Sequence, residues 1–165
     1  MNINIKPLLL TVAMVASGLA FTTAQAATVT APMDVKIEIL DACEINMAPT
    51  ELDFGQHGVL SSVVNATSDM QVTCTTGAAY SIALSGGGSG DINARVMTLG
   101  TDEVEYQLYQ EAGRTTVWGE TIPTDTVASV GTGTEQDFTV YGQVPVQATP
   151  PAGIYTDTVT VTVDY

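Results

Sequence analysis

The side chains best suited to redox, metal or nucleophilic chemistry in this sequence are Cys43, Cys74 and His57, and their small number limits what they can do. A structural zinc needs four ligands, and one histidine with two cysteines falls short. Two cysteines in a chain bound for an oxidising compartment pair with each other instead. The disulfide closes a loop of about 30 residues and contributes on the order of 3 to 4 kcal/mol in the chain-entropy model. His57 sits in a glycine-flanked loop, Gly55-Gln-His-Gly58, where a lone histidine is ordinarily just exposed. No G-x-S-x-G elbow marks a nucleophilic serine.

Other stretches suggest ligands and then fail a required feature. Ser85-Gly-Gly-Gly-Ser-Gly90 has the look of a phosphate loop, but Asp91-Ile92 stands where such a loop places Lys and Ser or Thr. We therefore expect it to be a mobile hairpin connection. The acidic residues are scattered, without the D-x-[DN]-x-[DN]-G spacing of a calcium loop. Trp118, beside Gly119, is expected to pack in the core and not to serve as a stacking platform. Asn65-Ala66-Thr67 matches a glycosylation sequon, a three-residue pattern that arises often by chance. A glycosidase-type carboxylate pair is a matter of distance in space, which sequence does not display. The expectation is a protein that is not an enzyme and holds no metal or cofactor.

The amino terminus carries an export signature. Lys6 gives a positive start, Leu8 to Leu19 is apolar, and Ala24-Gln25-Ala26 is a small-x-small cleavage site. An apolar run of about a dozen residues is shorter than the roughly 20 that a spanning helix needs. With residues 1–26 removed as a signal peptide, the mature chain starts at Ala27 and keeps 139 of the 165 residues, enough for one domain with a core. Losing Lys6 leaves Lys36, Arg95 and Arg114 against 18 Asp and Glu, one charge more negative than the −14 of the full sequence. Such a surface favours solubility and excludes a nucleic-acid partner, which requires a basic stripe.

The elements that must position these residues are strands. Ser68 to Thr73 alternates, with Met70, Val72 and Cys74 on one face, and Tyr80, Ile82 and Leu84 repeat the pattern. Val104, Tyr106 and Leu108 mark another strand, and Phe138, Val140, Gly142, Val144 and Val146 share a face across Asp137 to Val146, where Pro145 restricts pairing to an edge or a bulge. The most regular alternation closes the chain, with Tyr155, Asp157, Val159, Val161, Val163 and Tyr165 on one side. Between these lie a short strand expected at Leu52-Asp53-Phe54, a turn at Glu111 to Arg114 and a loop over Thr121 to Gly133. No mature segment has sustained helical periodicity. Short strands with turn signals between them predict an all-β sandwich or barrel, and the size suits an immunoglobulin-like β-sandwich.

One amphipathic strand has no evident place in such a domain. Thr28 to Leu40 sets Val29, Ala31, Met33, Val35, Ile37 and Ile39 on one face, in a segment that begins the mature protein. Chain ends are normally loose. A long strand with one apolar face at such an end is expected to pair with another molecule.

The combined pattern resembles the spore coat protein U domain family. The residues that carry the likeness are Leu52-Asp-Phe-Gly55, Val72-Thr-Cys74, Gly77 with Tyr80, Tyr106-Gln-Leu-Tyr109, Arg114 with Trp118-Gly119, Val140-Tyr-Gly-Gln-Val-Pro145 and Ala152 to Val163. They follow the family's order and cover nearly the whole mature chain. That family is similar to pilins of the archaic chaperone-usher pathway. The resemblance implies an incomplete immunoglobulin-like sandwich (residues 41–165) that lacks its last strand, with one disulfide between Cys43 and Cys74. It implies partners too: a periplasmic chaperone that lends a strand, an outer-membrane usher, and other copies of this chain or sibling subunits. Residues 27–40 would be the donor-strand extension, with Val29, Ala31, Met33, Val35, Ile37 and Ile39 as its inserted side chains. Pro32 lacks an N–H, so the firmest insertion is expected from Met33 to Ile39.

Overall fold

The computed structural model describes residues 26–165, so the expected signal peptide, apart from Ala26, lies outside the described residues. The chain divides after Ile37, and Glu38–Tyr165 forms one compact unit. Residues 26–37 carry no strand assignment. The strand expected over Thr28 to Leu40 likewise has no strand assignment here, and the partner expected for it is another molecule. The apolar row is open to water, with Met33 and Val35 each 83% exposed and Ile37 81% exposed.

Nine strands build the compact unit: β1 (Cys43–Met47), β2 (Val64–Cys74), β3 (Ala79–Leu84), β4 (Val96–Leu99), β5 (Asp102–Glu105), β6 (Gln107–Tyr109), β7 (Val127–Val130), β8 (Gln136–Val144) and β9 (Val161–Asp164). They form a four-stranded sheet in the order β1-β2-β8-β6, a three-stranded sheet β7-β3-β9 and a β4-β5 ribbon. All the pairings are antiparallel. The sheets are open and do not close into a barrel. Of the sandwich and barrel that the alternation allows, this is the all-β, immunoglobulin-like sandwich expected from the chain's size.

The faces are as expected where alternation is strict. Met70, Val72 and Cys74 of β2, Tyr80, Ile82 and Leu84 of β3, and Val140 and Val144 of β8 enter one buried cluster. Cys43 and Cys74 face each other across β1 and β2 and are joined by a disulfide. Trp118 is buried in the core, and its indole N–H donates to the Ile82 carbonyl at 2.8 Å.

Several boundaries differ from expectation, each for a physical reason. β8 stops at Val144 because Pro145 offers no donor to continue the ladder, which leaves Val146 exposed. Val104, Tyr106 and Leu108 do share a buried face, but the chain changes partners at Tyr106: β5 pairs with β4 and β6 with β8. The Thr, Pro and Gly-rich loop contains an edge strand, β7, that pairs with β3. Leu52-Asp53-Phe54 forms no strand. In the carboxyl-terminal segment only Val161–Asp164 joins a ladder, and Tyr165 is exposed. The glycine run after β3 is no hairpin: it folds into a 3-10 turn, Gly87–Ser89, on the way to a different sheet.

Candidate functional site

The least finished part of the sandwich is a cleft of about 960 Å³ within the compact unit. Its floor is core surface from several strands, including Val64, Leu84, Val104, Leu108, Val140 and Val144. One wall is the segment from Pro49 to Leu60, the other the segment from Thr149 to Val161. Leu52, Phe54 and Leu60 on the first wall, and Tyr155, Val159 and Val161 on the second, are half-buried and pack against the core cluster. An uncovered cleft of this size with an apolar floor is the default candidate for a binding surface.

Each wall is pinned at its ends and free of ladders between. The first is held where the Thr50 N–H donates to the Asp69 carbonyl at 3.1 Å and where the Gln147 N–H donates to the Leu60 carbonyl at 3.2 Å. Its middle is a turn, in which Asp53 Oδ1 accepts from the Gly55 N–H at 2.7 Å and the Phe54 carbonyl accepts from His57 Nε2 at 2.7 Å. His57 is thus an exposed turn residue at the rim, with no nucleophile bonded to it. The wall settles on β8 at Gly142, where a Cβ would lie 2.7 Å from Leu52 Cδ2 and 3.0 Å from Phe54 Cζ.

The second wall pairs with β3 through Val161 to Asp164, and again at Thr156, which bridges to Thr98 of β4. Asp157, Thr158 and Val159 between them take no part in a ladder. The alternation read from the sequence is therefore real as a facing pattern: Tyr155, Asp157, Val159 and Val161 turn toward the cleft. Most of the backbone there has no strand beside it.

The lining mixes apolar and polar groups, and one polar pair spans from the floor to the second wall. The Tyr106 hydroxyl donates to Asp157 Oδ2 at 2.5 Å. Burial pushes the Tyr106 phenol well above its ordinary value, and the accepting, negatively charged Asp157 carboxylate pushes it further the same way. The phenol thus stays protonated and donates to Asp157.

Sequence reasoning missed a second polar centre. Arg95, counted only as a charge, is 1% exposed. Its guanidinium donates to the carbonyls of Leu84 (2.9 Å), Ser85 (2.8 Å) and Trp118 (2.8 Å) and to Gln107 Oε1 (2.7 Å). Burial lowers its pKa from the usual arginine value. A signal for this role was absent, because nothing in a sequence separates a buried arginine from a surface one.

The remaining candidates are dispersed. Asn65 of the sequon lies within β2 and accepts from Gln143 Nε2 at 3.1 Å. Among the described residues no group of three or more His, Cys, Asp or Glu could hold a metal ion. No described helix is long and apolar enough to cross a membrane.

Residues 29–162 match the family model described as the Spore Coat Protein U domain. The chain belongs to the Spore Coat Protein U domain family. This spore coat U domain chain is 31% identical, over 177 aligned residues that cover 98% of each chain, to Protein U of Myxococcus xanthus. In fold it is similar to a chain of the CsuC–CsuE chaperone–tip adhesion subunit pre-assembly complex from the archaic chaperone-usher Csu pili of Acinetobacter baumannii. That likeness has a TM-score of 0.55 and 24% identity, covering 77% of this chain and 40% of the other. The spore coat U domain chain thus spans less than half the length of that structural neighbour.

Proposed function

We propose that this protein is a structural subunit of an archaic chaperone-usher pilus, exported through the periplasm and polymerised head to tail at the cell surface by donor-strand exchange. The observation that carries the reading is the cleft: an apolar trough between two walls that lack a strand between them. The same chain supplies a matching occupant in Thr28 to Ile39, whose apolar row is exposed. A second copy's extension, laid between the walls, would add the missing strand and bury that row.

The magnitudes support a durable fibre. Five or six inserted side chains at roughly 1.5 to 3 kcal/mol each supply on the order of 10 kcal/mol per junction, an upper bound once the ordering of the extension is counted. Insertion of one copy into the next does not close on itself, so it yields a filament. Before assembly, a periplasmic chaperone would fill the trough, and an outer-membrane usher would exchange it for the next subunit. Fibres of this kind serve attachment and biofilm formation. The structural neighbour comes from a complex of a chaperone with a pilus tip subunit, which supports a periplasmic chaperone and other pilus subunits as partners.

A second reading is favoured by the match to the Spore Coat Protein U domain: a coat around cells, assembled by the same insertion. Electron microscopy of expressing cells separates a continuous layer from projecting fibres. For insertion itself, deletion of Ala27 to Ile39 is the test. Export and chaperone co-purification are expected to persist while denaturant-resistant ladders vanish; ladders formed by the deletion variant would refute the proposal.

A further inference from the structure

The two walls of the cleft meet at their ends, where the Leu60 N–H donates to Thr149 Oγ1 at 2.9 Å, and one further side chain reaches both of them across the floor. Tyr106, the residue between β5 and β6, meets Phe54 of the first wall edge-on, with ring centroids 6.3 Å apart at 61°. Its hydroxyl reaches the other wall at Asp157. The contact falls where the second wall has no ladder, over Asp157 to Val159.

The Asp157 carboxylate takes the place of the missing ladder. Oδ2 accepts from Tyr106, and Oδ1 accepts from the Gly88 N–H at 2.8 Å and the Thr158 N–H at 2.7 Å. The glycine run after β3 now has a reason. Gly87 has φ +66° and a Cβ there would overlap Asp157 Oδ2, so only glycine lets the turn close around the carboxylate. Charge-assisted bonds from three directions fix the wall more firmly than neutral ones would.

We propose that Tyr106 and Asp157 form a strut that sets the width of the cleft and holds the Asp157 to Val159 wall in position for an entering strand. Asp157 is then a positioning residue for insertion, a statement that rests on the donor-strand reading above. Tyr106→Phe keeps the ring against Phe54 and removes the link. Asp157→Asn keeps the shape and removes an acceptor. Gly87→Ala crowds the carboxylate from the opposite side.

The test uses the monomeric mature chain and a fluorescent peptide with the sequence Thr28 to Leu40. The peptide's association rate, amide hydrogen exchange at Thr158 and Val159 without peptide, and thermal melting are measured for the three variants. Val72→Ala, a buried residue outside the cleft lining, serves as a control of lowered stability. The strut predicts uptake slowed about tenfold, the scale of one lost charge-assisted bond, and faster exchange at Thr158 and Val159, with neither change in Val72→Ala. Unchanged exchange in the strut variants overturns the proposal, as does equal slowing in Val72→Ala. If the wild-type chain takes up no peptide while exchange still quickens in the variants, strand insertion fails and the strut stands as the holder of the wall.

Discussion

Arg95 Nη2 donates to the carbonyl oxygen of Trp118 at 2.8 Å, and both residues are 1% exposed. The same guanidinium binds the carbonyls at the end of β3, so one cation ties the end of β3 to the backbone at Trp118. Lysine carries the charge without the planar fork and leaves several of these carbonyls without a donor. Arg95→Lys is expected to cost on the order of 3 kcal/mol. A shift in the urea midpoint of the oxidised protein measures it, and a loss below about 1 kcal/mol would show the cluster to be dispensable.

The disulfide ties the edge strand β1 to the central strand β2 across a separation of 31 residues. The double variant Cys43→Ala with Cys74→Ala should lose about 3 to 4 kcal/mol. Denaturation of the two forms under identical conditions checks the figure. Since Cys74 is buried and Cys43 only partly so, some of the loss will come from packing at Cys74.

Alkaline stability should fall because of Tyr106. The unfolded chain releases this proton near pH 10, whereas burial and Asp157 hold it to higher pH in the fold. The phenol's contribution is therefore complete below about pH 10 and is lost as pH rises from there toward the folded-state value. Melting curves taken at increasing pH are expected to drop less steeply in Tyr106→Phe than in the wild type. Ultraviolet titration should also show a phenol that ionises well above about pH 10 in the wild type and is missing in Tyr106→Phe.

The strands legible in the sequence are those whose two faces meet different surroundings. Met70, Val72 and Cys74 alternate against polar neighbours because β2 has one face on the core, and β3 and the middle of β8 follow the same rule. Alternation reports a face and says nothing of what lies alongside. The segment from Tyr155 to Val163 was thus legible as a facing pattern while its ladder stops short at Val161. β7 was hidden because a four-residue edge strand needs little apolar content: only Val127 of it packs on the core. Arg95, and the Tyr106 to Asp157 bond over 51 residues of sequence, depend on distant backbone meeting in space, which no local spacing encodes. The apolar row from Val29 to Ile39 was legible as a row. Its proposed burial place emerges only once the cleft between the two walls is in view.

The account stands or falls on where that row goes. The direct measurement mixes two separately tagged variants, Ile37→Cys in one and Val159→Cys in the other, under mild oxidation with the Cys43 to Cys74 bond intact. Ile37 is 81% exposed and Val159 lies on the cleft wall, so insertion of one copy's extension into another brings the new thiols together. The account predicts a covalent heterodimer carrying both tags. Its absence, together with an intramolecular bond in a chain that bears both substitutions, would contradict the account by showing that the extension completes its own domain.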